Sequence, residues 1–87
     1  MSATSPQAGV DTAIAHAMGL LAHDPAAAIE QAREVLVAVP GQPIARLVIG
    51  MAHNARKDFP QAIAELEPLA AEQPNAPAVQ MALGAAL

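Results

Sequence analysis

Apolar residues recur at helical spacing in two stretches of the chain, residues 25–38 and residues 60–72. Positions three and four residues apart lie on one face of an α-helix, so each stretch is predicted to be a helix with one buried face. The two apolar faces consist of Ala28, Ile29, Ala32, Val35 and Leu36 in the first stretch and of Ala62, Ile63, Leu66, Leu69 and Ala70 in the second.

The stretch between them, residues 43–57, is apolar on more than one side. A helix with this pattern must be covered on more than one face, so the pattern predicts an inner helix of a stack. One side carries Ile44, Leu47, Val48, Met51 and Ala55, and Ala45, Ile49 and Ala52 continue around the helix.

Prolines and turn-forming residues separate these helices. Residues 39–43 and 73–77 are equivalent turns, in which a proline ends the helix before and a second proline begins the next one. Between the two prolines lies a residue that tolerates a positive φ, Gly41 in the first turn and Asn75 in the second.

These signals predict five helices after a disordered start at residues 1–8. The helices are expected near residues 10–22, 25–38, 43–57, 60–72 and 77–87. Asp24 and Asp58 are the predicted N-caps of the second and fourth helices. Pro68 breaks a local rule, because a proline inside a helix loses a hydrogen bond and costs roughly 3 kcal/mol. We expect Pro68 on the solvated face of a continuous helix; the alternative is that the helix ends there.

The chain repeats itself at an offset of 34 residues. A period of this length is typical of proteins built from stacked helix pairs. We therefore divide the chain into a first repeat at residues 9–42, a second at 43–76, and residues 77–87, which are the first helix of an incomplete third repeat or a terminal helix. The matched pairs include Asp24 and Asp58, Ala28 and Ala62, Ile29 and Ile63, Pro40 and Pro74, Pro43 and Pro77, and Gly50 and Gly84.

The segment of residues 56–66 resembles the junction of a tetratricopeptide repeat, where an acidic turn and an aromatic residue precede an alanine at the helix crossing. In this alignment Gly50 falls on the small residue of the family's first helix, Ala62 on its interhelix alanine and Pro74 on its terminal proline. The resemblance covers nearly everything after residue 8. It implies an all-α solenoid of antiparallel helix pairs, with about two and a half repeats and five helices.

Several positions depart from the family pattern. Arg46 and His53 stand where the family has aromatic residues, and Pro25 stands where the second unit has Phe59. The Ala- and Pro-rich character also resembles repeat segments that precede a catalytic domain in certain bacterial proteins, such as tetratricopeptide-containing sulfotransferases. A second hypothesis is therefore an N-terminal accessory or dimerisation module of a larger enzyme.

The family resemblance implies a concave groove lined by the first helix of each pair. The residues carried over to it are Val10, Ala13, Ala17, Leu20, Ile44, Leu47, Met51, Asn54, Ala78, Met81 and Ala85. Family members that clamp a peptide carboxylate place Lys, Arg and Asn at such positions, whereas Asn54 is the one polar candidate in this set. A mostly apolar groove with two methionines instead suits an amphipathic helix or a hydrophobic segment of another protein.

Two alternatives compete with groove binding. Apolar residues on such helices are more often core than binding surface. Residues 77–87 carry almost no polar side chain, whereas repeat arrays normally finish with a polar-faced capping helix. We expect that the chain continues into a further C-terminal part; the alternative is a homo-oligomer, a self-assembling helical protein that buries residues 77–87 against a second copy.

Composition and charge bear on the make-up of the core and argue against some classes of function. Hydrophobic residues make up 54% of the chain but aromatic residues only 1%, so the core must be built from small and aliphatic side chains. The net charge is −4 with no basic cluster, which argues against nucleic-acid binding. No apolar run reaches the roughly 20 residues that cross a bilayer, and there is no secretory signal pattern, so the cytoplasm is the expected location.

The inventory of reactive side chains argues against an enzyme. Cysteine is absent, and the two serines, Ser2 and Ser5, lie in the predicted disordered start. His16 and His23 are spaced to share a helix face, but His53 is not placed to complete a metal site with them. No glycine-rich phosphate loop is present. We therefore expect no catalytic residues, no metal and no cofactor.

Overall fold

A computed structural model describes residues 6–87 and contains five helices within that range, as the sequence predicts. The helices are α1 (Pro6–Leu20), α2 (Pro25–Ala38), α3 (Pro43–Ala55), α4 (Phe59–Glu72) and α5 (Pro77–Ala86).

The largest difference from the predicted bounds is at the start of α1. The helix begins at Pro6, so residues 6–8, which the sequence assigned to a disordered start, are helical. Proline suits this position because its fixed φ matches the helix and its missing N–H is not needed in the first turn. Residues 1–5 lie outside the described residues, and their disorder stays a prediction.

The residues that precede α2, α3 and α4 cap these helices in different ways. The predicted N-cap at Asp24 is confirmed, because its Oδ1 accepts a hydrogen bond of 3.1 Å from the Ala27 N–H. At α3 the cap is Gln42, whose Oε1 accepts from the Ala45 N–H at 2.7 Å. Asp58 is the N-cap residue of α4, as predicted, but its carboxylate makes no cap hydrogen bond and lies near His53 instead.

The turns also differ in which residue adopts a positive φ. Gly41 does so, with φ of 79°, whereas Asn75, which also tolerates this conformation, is not among the described residues with a positive φ. That conformation falls instead on Lys57, with φ of 59°, directly after α3. There the N–H of Lys57 donates to the Asn54 carbonyl at 2.9 Å and the N–H of Asp58 to the His53 carbonyl at 2.8 Å. These two bonds satisfy carbonyls at the helix end that would otherwise lack partners.

The helices form a stack of two rows. In one row α3 packs against both α1 and α5, and α2 and α4 pack beside that row. Within the described residues α2 and α4 do not contact each other, whereas α3 contacts both of its neighbours in the row of α1, α3 and α5. We call this the inner row. Because α3 packs against α1, α2, α4 and α5, the prediction that it is an inner helix is confirmed.

Two apolar clusters hold the stack together. The first joins α1, α2 and α3, with Ile14, Ile29 and Val48 among its buried members. The second joins α3, α4 and α5 around the fully buried Leu66. Pro68 lies inside α4 on its exposed side, and the helix continues to Glu72, which rules out the alternative that α4 ends at Pro68.

A paired arginine and glutamate tie α3 to the end of α4. Arg46 Nη1 donates to Glu72 Oε1 at 2.8 Å and Nη2 to Oε2 at 3.0 Å. This hydrogen bonding lowers the pKa of Glu72 and raises the pKa of Arg46. Arg46, one of the departures from the family pattern, thus has a structural partner.

Candidate interaction groove

A shallow depression of about 530 Å³ lies between α3 and α5 on the inner row. We call it the α3–α5 groove. Its lining residues are Met51, Asn54, Ala55, Ala78, Met81 and Ala82. The later turns of α3, which begins at Pro43, thus face the earlier turns of α5, which begins at Pro77.

Asn54 connects the two walls of the groove. Its Nδ2 donates a hydrogen bond of 2.9 Å to the carbonyl of Ala82, which joins α3 to α5. Its Oδ1 is buried and has no hydrogen-bond partner among the described residues. The Asn54 side chain therefore provides a polar link between α3 and α5 in an otherwise apolar site.

The rest of the groove is apolar and uncharged. Met51 is half-buried, whereas Met81 is 76% exposed at the opposite wall. Three of the groove's six lining residues are alanines, whose small side chains let α3 and α5 approach each other. A methionine adapts its shape to irregular apolar surfaces, so this arrangement can accept aliphatic or aromatic side chains of different sizes.

The predicted groove residues of α1 do not reach this site. Val10 and Ala17 are buried in the first apolar cluster and do not line the α3–α5 groove, and Val10 and Ala13 border a second depression between α1 and α2. Ala13 and Leu20 are half-buried and pack against the same cluster. The physical reason is the rotation of α1 about its axis, which directs these side chains toward α2 and α3.

The remaining predicted residues divide between the groove and its surroundings. Met51, Asn54, Ala78 and Met81 line it, whereas Ile44, Leu47 and Ala85 do not. Ile44 and Ala85 are exposed beside it, and Leu47 packs against the second apolar cluster.

Two lining residues were missed by the sequence reasoning, Ala55 and Ala82. Each lies four residues, about one helical turn, after a residue that was predicted, Met51 and Ala78 respectively. Continuing the predicted face by one turn would have found both.

The titratable side chains lie outside the groove. His53 is 7% exposed, and its Nδ1 lies 3.8 Å from Asp58 Oδ2 without a hydrogen bond, while His16 and His23 are exposed. In residues 6–87 no three side chains of the metal-ligating types come together. None of the helices in that range is both long and apolar enough to span a bilayer.

Comparison with known families identifies the type of helical repeat in this protein. The family model described as tetratricopeptide repeat matches residues 19–86, which span the end of α1 and all of α2 to α5. The chain belongs to the tetratricopeptide repeat family. Tetratricopeptide repeats generally mediate protein–protein interaction, and they are typically non-catalytic scaffolds. The search of curated proteins and the search of solved structures each found no match.

The positions that the family resemblance singled out have the environment expected of a tetratricopeptide repeat. Ala62 is fully buried where α4 crosses α3. A Cβ atom added to Gly50 would lie 2.5 Å from Leu66 Cγ, so the helices can pack this closely only because residue 50 has no side chain.

Proposed function

We propose that this protein is a non-catalytic interaction scaffold that binds a peptide or helix of another protein through the α3–α5 groove. The observation that carries the proposal is the groove itself, which is open, apolar and free of charged lining residues. Apolar burial contributes about 25 cal/mol per Å² before the costs of association, so a segment with a few large apolar side chains gains most from this surface.

The geometry favours a helix over an extended strand. The two walls of the groove are themselves helices that lie side by side, with Met51 and Met81 projecting from opposite sides. A helix with apolar residues at positions i, i+3 and i+4 presents a continuous stripe that such a groove can receive. An extended segment gains main-chain hydrogen bonds when it adds to a free strand edge, and the described residues contain no strand.

The test uses one variant inside the groove and a matched variant outside it. Ala78 is exposed, lines the groove, and is the second residue of α5 after Pro77. Ala26 is also exposed and is the second residue of α2 after Pro25. A glutamate is favourable in the first turn of a helix, so Ala78→Glu and Ala26→Glu should both fold normally.

Helical peptides are first selected from a displayed library of amphipathic sequences against the wild-type protein, and their affinities are measured by titration. Ala78→Glu should weaken the selected peptides by about tenfold or more, because it places a charge in an apolar site, while Ala26→Glu should leave them unchanged. Peptides that bind Ala78→Glu as tightly as the wild type, or a selection that enriches none, would refute the groove as the binding site.

A further inference from the structure

Asp24 and Asp58 stand 34 residues apart at equivalent positions, but their side chains have different surroundings. Their backbones have nearly the same ψ, 72° and 69°, and differ in φ, −150° and −94°. The Asp24 carboxylate caps α2 by accepting from the Ala27 N–H, whereas the Asp58 carboxylate does not accept from the equivalent N–H of Gln61. A change in φ and a rotation of the side chain therefore separate these two arrangements of the same repeat position.

The residue that differs between the two sites is His53, which stands where the first repeat has Gly19. The His53 ring is buried, and its Nδ1 has no hydrogen-bond partner among the described residues. This nitrogen lies 3.8 Å from Asp58 Oδ2. The Asp58 carboxylate thus lies close to the His53 ring and to the start of α4, and makes a hydrogen bond to neither.

The backbone of the turn holds His53 and Asp58 side by side. The N–H of Asp58 donates to the His53 carbonyl at 2.8 Å, across the positive φ of Lys57. In this type of helix end the two residues joined in this way usually make a contact between apolar side chains. Here they are a histidine and an aspartate, so the backbone itself sets their proximity, whatever the charge of the ring.

The other charged groups near α3 leave Asp58 as the counter-ion of His53. His53 lies three residues after Gly50, on the side of α3 that meets α4. On α4, Glu72 is bonded to Arg46, Glu65 also acts on Arg46, and Glu67 is exposed. Helix α5 carries no titratable side chain. The remaining charged or titratable residues on the elements packed against α3 and in their turns are exposed: Asp11, His16, His23, Asp24, Glu30, Arg33, Glu34, Arg56 and Lys57.

We propose that His53 and Asp58 form a proton-controlled switch at the turn between α3 and α4. When His53 takes up a proton from solvent, its Nδ1–H donates to the Asp58 carboxylate, and α4 begins without a side-chain cap. When His53 is neutral, the carboxylate turns to the Gln61 N–H and caps α4, as Asp24 caps α2. Histidine ordinarily changes charge between about pH 5 and pH 8, where aspartate is ionised, so the histidine controls the switch.

The switch is independent of the proposed use of the α3–α5 groove, because His53, Asp58 and Gln61 do not line it. A falling pH adds a charged hydrogen bond between the end of α3 and the turn, and it removes a cap from the start of α4. The first repeat has no such device, since Gly19 carries no side chain to compete for Asp24.

The first test follows the amide proton of Gln61 by NMR in the labelled protein between about pH 5 and pH 8. In the wild type its chemical shift should change together with the ring signals of His53, because its hydrogen bond forms only when the ring is neutral. In His53→Phe the Gln61 signal should stay at its bonded position throughout, since the phenyl ring fills the site without a charge. The Ala27 amide is the internal control and should not follow His53 in either protein.

The second test is a double-mutant cycle of His53→Phe and Asp58→Asn, with urea unfolding at about pH 5 and about pH 8. Asparagine keeps a capping oxygen but carries no charge. The coupling between the two positions should be about twofold to fivefold in the unfolding equilibrium constant at the lower pH and should vanish at the higher. The matched control replaces Asp58→Asn by Asp24→Asn and should show no coupling with His53→Phe at either pH.

Three results would overturn the proposal. One is a Gln61 amide signal that does not follow the His53 ring, and another is the same pH response in His53→Phe. The third is a coupling that is absent at the lower pH or equal at both, which would mean that the two side chains only pack together. If His53→Phe does not fold, Asp58→Asn alone decides: its Gln61 signal should respond to the His53 ring far less than in the wild type, and an equal response would refute the switch.

Discussion

Helices α3 and α5 occupy the same position in successive repeats, yet they have different surroundings. Both begin at a proline and both carry a glycine eight residues into the repeat unit, Gly50 and Gly84. α3 packs against α1, α2, α4 and α5, whereas α5 packs against α3 and α4 within the described residues. The comparison shows that a repeat pattern specifies which face can be buried, while the neighbouring helix decides whether it is buried.

The largest expected effect comes from removing the side chain that covers α3. Leu66→Ala should lower the free energy of unfolding by about 2–5 kcal/mol, because it leaves a cavity over Gly50 in the centre of the second cluster. Urea unfolding followed by circular dichroism measures the change. Leu83→Ala, at a half-buried leucine of α5, should cost clearly less. Equal losses in the two variants would contradict the contrast between covered and uncovered helices.

The two glycines give the sharpest version of the comparison, because the same substitution should change stability in opposite directions. Gly50→Ala should destabilise the protein by about 1–3 kcal/mol, since its methyl group would overlap Leu66. Gly84→Ala meets no described atom and should stabilise α5 by up to about 1 kcal/mol through helix propensity. Thermal and urea unfolding of both variants measure the signs. A loss of stability in Gly84→Ala would show that its face is covered in solution.

The smallest expected effect concerns the ion pair between Arg46 of α3 and Glu72 of α4, which has no counterpart on α5 within the described residues. The hydrogen bonds from Arg46 lower the pKa of Glu72 below its ordinary value of 4.5, so the carboxylate is more stable in the folded state. This stabilisation is present at neutral pH and is lost as the pH falls through the lowered pKa. Glu72→Gln should therefore unfold more easily than the wild type at neutral pH.

In strong acid the difference between Glu72→Gln and the wild type should disappear, because Glu72 is then protonated in both the folded and the unfolded chain. Urea unfolding at a series of pH values measures this. Glu67→Gln, an exposed position on the same helix, is the control and should show a smaller, less pH-dependent change. A constant difference between Glu72→Gln and the wild type at every pH would show that the ion pair does not contribute through the charge of Glu72.

Most helix bounds could be predicted from the sequence because they depend on residues that are close together in the chain. Prolines, the 34-residue offset and the apolar stripes placed α2 at residues 25–38, in agreement with the structure, and the other helices within a few residues. The N-cap at Asp24 and the positive φ at Gly41 follow from the chemistry of those residues. Asp58 is the N-cap of α4 but makes no cap hydrogen bond, and Asn75 does not adopt the positive φ that it tolerates, since each residue type permits these features without requiring them.

The candidate site was less predictable because it depends on how helices are rotated relative to one another. Periodicity shows that Val10 and Ala17 share a face of α1, but not that this face meets α2 and α3. Met51, Asn54, Ala78 and Met81 were found because the family resemblance places the first helix of each pair along one surface. The expected cytoplasmic location and the division into repeats at residues 9–42 and 43–76 remain predictions.

The separation of α2 from α4 has a mechanical consequence. Within the described chain both of these helices pack against α3, and α3 is also the one helix through which α1 and α2 contact the rest of the stack. We therefore expect any bending between the first helix pair and the helices that follow to have α3 as its pivot, with the gap between α2 and α4 changing most.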